Sequence, residues 1–126
     1  MATARDTTAE HIKPLEGAIV RRFTAGAAIA AGELVSMSSD GYIDPSDSTA
    51  AKNYVLGVAI QAAATAGARV DVVVFGPVVC LTGATPGGLQ YNSTTAGEPL
   101  ETVAGNQTVA GIAESATVLF VHPATV

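Results

Sequence analysis

Ala31-Gly32-Glu33-Leu34-Val35-Ser36-Met37-Ser38, then Asp40-Gly41-Tyr42-Ile43, then Val55-Leu56-Gly57-Val58-Ala59, is a passage the chain echoes loosely further on. The second version reads Pro86-Gly87-Gly88-Leu89-Gln90-Tyr91-Asn92-Ser93, Ala96-Gly97-Glu98-Pro99-Leu100 and Val109-Ala110-Gly111-Ile112-Ala113. Both place a Gly just before a short apolar run, a Gly turn after it, and a closing Val-x-Gly-apolar-Ala strand. The interval from Gly32 to Gly57 is one residue longer than that from Gly87 to Gly111. Glycine recurring at turns answers a backbone need, because turns demand φ > 0. The echo therefore predicts two similar β units.

Strand-like segments surround these passages. Gly17-Ala18-Ile19-Val20-Arg21-Arg22-Phe23 reads as a first strand, and Tyr54 to Ala63 as a fairly apolar one. Arg69-Val70-Asp71-Val72-Val73-Val74-Phe75 is rich in β-branched residues and has no helical period. Gly76-Pro77 is expected to break it, with Val78 to Leu81 resuming. Thr117 to Val121 closes the chain before Pro123. Short strands separated by Gly turns predict an all-β domain, a small β-barrel or β-clip-like fold, with at most a short helix, at Ser46 to Asn53. Residues 1 to 14 are polar, Thr-rich and without periodicity. They read as an extended N-terminal arm, either a docking element or a frayed tail. The expected organisation is an arm at 1–14 and a single β domain at 15–126.

Of the 126 residues 48% are hydrophobic and 13% charged, about half the usual charged share. So few charges suit a surface buried against partners. The formal net charge of −5 argues against nucleic acid as a ligand, since phosphate binding needs clustered cations. Arg5, Lys13, Arg21 and Arg22 crowd the N-terminal part. Arg21-Arg22 is either a patch for an acidic partner or two solvated side chains at a strand start. Met1-Ala2-Thr3-Ala4-Arg5-Asp6 has no apolar segment of the secretory type, and no apolar run reaches membrane-span length. The expectation is a protein made in a cytoplasm, with no membrane partner.

Catalytic patterns are missing. Cys80, the sole cysteine, lies in the apolar run Pro77-Val78-Val79-Cys80-Leu81 and reads as a buried thiol. His11 and His122 are far apart in sequence, and no metal-ligand spacing appears. Asp40, Asp44 and Asp47 share a loop without the pattern of a calcium loop. Thr82-Gly83-Ala84-Thr85-Pro86-Gly87-Gly88 lacks the Lys-Ser/Thr ending of a phosphate loop. Neither a cofactor nor an enzymatic activity is expected.

The order of motifs resembles the capsid decoration, or cement, proteins of tailed bacteriophages. It is carried by Gly17-Ala18-Ile19-Val20, Ala31-Gly32-Glu33-Leu34-Val35, Gly41-Tyr42-Ile43, Leu56-Gly57-Val58-Ala59, Ala66-Gly67-Ala68-Arg69-Val70-Asp71-Val72, Gly76-Pro77-Val78, Gly88-Leu89-Gln90-Tyr91 and Val109-Ala110-Gly111-Ile112-Ala113. The resemblance implies a compact β domain, assembled as a homotrimer on the outer surface of the mature head, with the major capsid protein as partner. It further implies an arm reaching the capsid or a neighbouring subunit, which nominates Arg5, Asp6, His11, Ile12, Lys13, Pro14 and Leu15 as contacts. Phe23 to Val35 is also similar to the start of SAF-type β-clip ligand-binding modules. A head fibre base or a head–tail joining protein is a further alternative.

Overall fold

A computed structural model describes residues 3–49, 54–102 and 107–125. Among the described residues there are twelve strands: β1 (Ala4–Arg5), β2 (Lys13–Pro14), β3 (Ile19–Thr24), β4 (Leu34–Met37), β5 (Ile43–Pro45), β6 (Val55–Ala59), β7 (Arg69–Val79), β8 (Leu81–Thr82), β9 (Leu89–Asn92), β10 (Pro99–Leu100), β11 (Thr108–Ala113) and β12 (Val118–Thr125). The only helical piece among the described residues is a 3-10 turn at Ala9–His11. Ser48 and Thr49 form a turn, and the rest of the short helix expected at Ser46 to Asn53 lies outside the described residues. The protein is all-β, and its main sheet curls into a half-barrel.

The sheet runs β10-β9-β11-β12-β7-β6-β4-β5, the same from either end. In one half β4 pairs with β5 and β6, and β6 with β7. In the other β9 pairs with β10 and β11, and β11 with β12. Every pair is antiparallel. The turn bonds repeat as well. Gly32 N donates to Ala59 O at 2.7 Å, and Gly87 N to Ala113 O at 2.8 Å. Ala59 N returns to Glu33 O, and Ala113 N to Gly88 O, each at 3.0 Å. The written echo is thus a structural repeat.

Two glycines show why the closing strands share a spelling. Leu56 is skipped in the β4–β6 register, where Val35 opposes Gly57 and Ser36 opposes Val55. Ala110 is skipped in the β9–β11 register, where Tyr91 opposes Val109 and Gln90 opposes Gly111. Each is a bulge directly before the glycine. A Cβ on Gly57 would overlap the carbonyl oxygen of Val73, and one on Gly111 that of Phe120. Only glycine lets the neighbouring backbones approach so closely.

β7 runs unbroken through Gly76-Pro77, against the expected interruption. Gly76 absorbs the irregularity at φ +104, and Pro77 sits opposite Phe120. Val74 is skipped in the β3–β7 register, where Ile19 opposes Phe75 and Val20 opposes Val73. This bulge shifts the in–out alternation. Val70 and Val72 enter one buried cluster, with Ala25, Ile29, Val35, Ile43, Ala59 and Ala63. Val73 and Val78 enter the other, with Leu34, Val58, Leu81, Ala113, Leu119 and Val121. The first half of β7 lies between β3 and β6, and the second between β2 and β12. One long strand closes the first unit and opens the second.

A buried polar seam joins the units. Ser36 Oγ donates to Ser46 Oγ at 2.7 Å, Asn92 Nδ2 to Ser46 Oγ at 3.0 Å, and Thr108 N to Asn92 Oδ1 at 2.9 Å. Paired this way, the groups avoid the cost of burying unsatisfied polar atoms.

Candidate functional site

The arm, read from sequence as a separate segment, is extended and laid along the domain. β1 pairs with β8, and β2 with the end of β7. Ile12 is 7% exposed and sits in the larger core cluster. A lone apolar residue in a polar stretch carries no periodic signal, so only the fold shows that it anchors the arm.

The nominated residues fall into two groups. Arg5, Asp6, His11 and Ile12 face the protein's own interior or one another. Arg5 Nε donates to Glu98 Oε2 at 2.7 Å, and its Nη1 to Ala31 O at 3.3 Å. Since Ala31 belongs to the first unit and Glu98 to the second, Arg5 ties them together. Asp6 accepts from Thr8 N at 2.9 Å and meets His11 Nδ1 at 2.8 Å, while its own N–H donates to Cys80 O. The Thr8 amide first, and then His11, hold the Asp6 carboxyl below its ordinary range. Lys13, Pro14 and Leu15 form the second group. Lys13 and Pro14 are exposed, and Leu15 N donates to Pro77 O at 3.0 Å.

Lys13 lies in an open groove lined also by Asp6, Glu10, His11, Val79 and Thr117. The groove holds an imidazole–carboxylate pair, but no described nucleophile hydrogen-bonds to the His11 ring. Burial pushes the Cys80 thiol far above its ordinary range, so the one cysteine stays protonated and unreactive. The described residues contain no group of side chains fit to hold a metal ion. The aspartates of the 40–47 loop are spent on local bonds: Asp40 accepts from Tyr42 N, Asp47 from Thr49 N, and Asp44 from Ser38 Oγ. The described residues thus offer the groove little chemistry beyond charge.

Beside the groove lies the most unusual surface of the molecule. Ile19 sits opposite Phe75 in the β3–β7 register, Phe120 opposite Ile112 in β12–β11, and Ile112 opposite Leu89 in β11–β9. The Phe75 and Phe120 rings meet edge to face at 5.2 Å, and the Phe75 ring meets His122 at 5.6 Å. Directly opposed residues share one face of a sheet. Ile19, Phe75, Phe120, Ile112 and Leu89 therefore form a continuous apolar stripe across β3, β7, β12, β11 and β9. Four of its members are well exposed: Ile19 52%, Ile112 46%, Leu89 41% and Phe75 40%. Isolated exposed apolar residues are ordinary, but a contiguous run marks an interaction surface. His122 packs against Phe75 on this face, and Lys13 on β2 and Glu114 just after β11 lie on the flanking segments.

Sequence reasoning nominated the arm and missed this face. Its residues come from five segments: β7, β11 and the start of β12 are apolar on both alternating positions, while in β9 the polar Gln90 and Asn92 are buried and Leu89 is exposed. Period-two patterning then cannot separate inside from outside. The available signal was the excess itself: strands apolar on both faces in a chain with too little mass to cover both.

Comparison with known families supplies the identity. No curated protein matches the sequence. The family model described as phage cement protein matches residues 3–74, spanning the arm and the first unit up to the bulge in β7. That is more than half of the chain, so it belongs to the phage cement protein family, a structural family associated with the phage capsid.

Proposed function

We propose that the protein binds the outer surface of the mature phage head and stabilises its lattice, acting as a homotrimer with the major capsid protein as its partner. The observation that carries this reading is the apolar stripe through Phe75 and Ile112, which a head-bound state would cover. Covering it removes apolar area from water, since Ile19, Phe75, Phe120, Ile112 and Leu89 carry no charge. Lys13 and Pro14, exposed on β2, and Leu15 beside them would be the arm residues that touch the capsid. Arg5, Asp6, His11 and Ile12 serve by holding the arm in place. A protein that binds only the expanded lattice stabilises that state by linkage, in proportion to its affinity for it.

Stripping the protein from purified particles with mild denaturant, then adding it back, tests the reading. Stripped heads should lose resistance to heat or osmotic shock, and regain it on addition. Unchanged resistance would contradict the stabilising role. Retention of only a trace in particles would point instead to a fibre base or head–tail joint. Sedimentation of the free and the released protein tests the trimer.

A further inference from the structure

β3 is an edge strand with an open side. It pairs with β7 over its full length of 6 residues. On its other side β5 closes the C-terminal end through the Ala25–Ile43 bridge, with Gly26 N donating to Ile43 O at 2.7 Å, and no strand of the described residues pairs with residues 19–23. Alternate N–H and C=O groups of an antiparallel edge strand point outward, so β3 offers a row of unpaired donors and acceptors. The sheet's two end strands are blunted. β5 has 3 residues and contains Pro45, and β10 has 2 and contains Pro99. β3 contains neither Pro nor Gly, and its residues from Ile19 to Arg22 are all exposed.

The same edge is basic in a chain of net charge −5. Lys13 lies on β2, Arg21 and Arg22 on β3, and Arg69 opposite Thr24 at the far end. They are four of the six Lys and Arg residues of the protein. Asp71 neutralises Arg22, with Nε donating to Oδ1 at 2.8 Å. Arg21 lies over the Phe23 ring at 5.6 Å, and neither it, Lys13 nor Arg69 has an ion-pair partner among the described residues.

We propose that β3 receives an extended, acidic segment of the major capsid protein as an added antiparallel strand. The proposal rests on the head-binding reading above. Main-chain bonds would supply the adhesion, and Arg21 and Lys13 the preference for an acidic strand. A second copy of this chain is a poor occupant. Two-fold pairing of β3 with itself brings Arg21 and Arg22 against the same pair, and like charges directly opposite are destabilising. The end strands of a second copy are too short and carry proline. Ile19 belongs to both the edge and the apolar stripe, so an added strand would widen the docking face.

Hydrogen–deuterium exchange of the full chain, free and bound to expanded heads, tests the proposal. The outward amides of residues 19–23 should exchange freely in the free protein and slow by about tenfold or more on heads. Arg21→Glu, which removes no hydrogen bond of the described structure, should weaken head binding about tenfold at low salt and less at high salt. If wild-type protein binds heads and gains protection at Phe75 and Ile112 but not on β3, the added strand is wrong and head binding stands. If wild-type protein does not bind heads, the head-binding reading fails and takes this proposal with it. Protection of β3 in concentrated free protein that sediments as an oligomer would assign the edge to a second copy and overturn the proposal.

Discussion

The two β units share a backbone plan and differ in what they show to solvent. In both, a central strand pairs with its two successors, and a bulge precedes a glycine that touches the next strand. Outside, the first unit mixes charge with apolar side chains: Arg21, the Arg22–Asp71 pair, Arg69 and Asp40 stand among the exposed Ile19, Val20, Met37, Tyr42 and Tyr54. The second presents exposed Leu89 and Ile112 in one run with half-buried Phe120, joined to Phe75 on the shared strand. Backbone geometry constrains what the units have in common and leaves the outward positions to function. The first unit lies within the family match and the second beyond it.

The sharpest way to break the equivalence of the units is at their closing glycines. Gly57→Ala and Gly111→Ala each force a methyl group into a neighbouring carbonyl, Val73 in one case and Phe120 in the other. Each should cost ~3 kcal/mol or more in urea unfolding, by strand displacement. A large loss at one site with none at the other would show that only one unit is held as described.

Ile12 tests the boundary between arm and domain. Ile12→Ala should destabilise by about 2–4 kcal/mol, because the side chain sits in the core beside Leu34 and Leu81. Deleting residues 1–14 should for the same reason weaken the fold as well as head binding, so point variants at Lys13 and Leu15 isolate the contact role. An Ile12→Ala protein with wild-type stability would return the arm to the status of a loose tail.

The smallest effect compares two carboxylates doing the same job. Glu33 Oε1 accepts from Ala30 N at 2.8 Å in the turn before β4, and Glu101 Oε2 from Thr85 N at 2.7 Å in the turn before β9. Their titrations diverge. Burial raises the Glu33 carboxyl, aided by Glu98 and opposed by the Ala30 amide and Arg5. The Thr85 amide, then Gln90, lower that of Glu101. A raised carboxyl favours the folded state when protonated, so the Glu33 contribution is present at low pH and lost as pH rises through its folded value. The lowered Glu101 contributes above the ordinary carboxylate range and loses that contribution as pH falls through its folded value. As pH climbs from about 4 to about 7, Glu33→Gln should gain stability relative to wild type and Glu101→Gln should lose it. Carboxyl NMR titration reads both directions directly, and parallel shifts would remove the distinction.

These contrasts also show where sequence reasoning reached and where it stopped. Gly32, Gly57, Gly87 and Gly111 could be read because glycine at a turn or close approach answers a local backbone demand. Gly76-Pro77 misled because a glycine at positive φ lets the strand run on beyond the bulge at Val74, and Pro77 fits the ladder where the partner strand tolerates the missing N–H. Ile12 and the Phe75–Ile112 face were out of reach for a different reason. Their burial or exposure is decided by strands far away in sequence, namely β8, β11 and β12.

The most direct test of the docking face is the binding of Phe75→Asp and Ile112→Asp to expanded heads, each compared with wild type. Both positions are exposed in the free protein, so each variant should fold with stability within about 1 kcal/mol of wild type. The account predicts folded variants that lose head binding by at least about tenfold, as expected for a charge placed in a desolvated contact. Folded variants that decorate heads at wild-type occupancy would show that the apolar face is not where the capsid is bound.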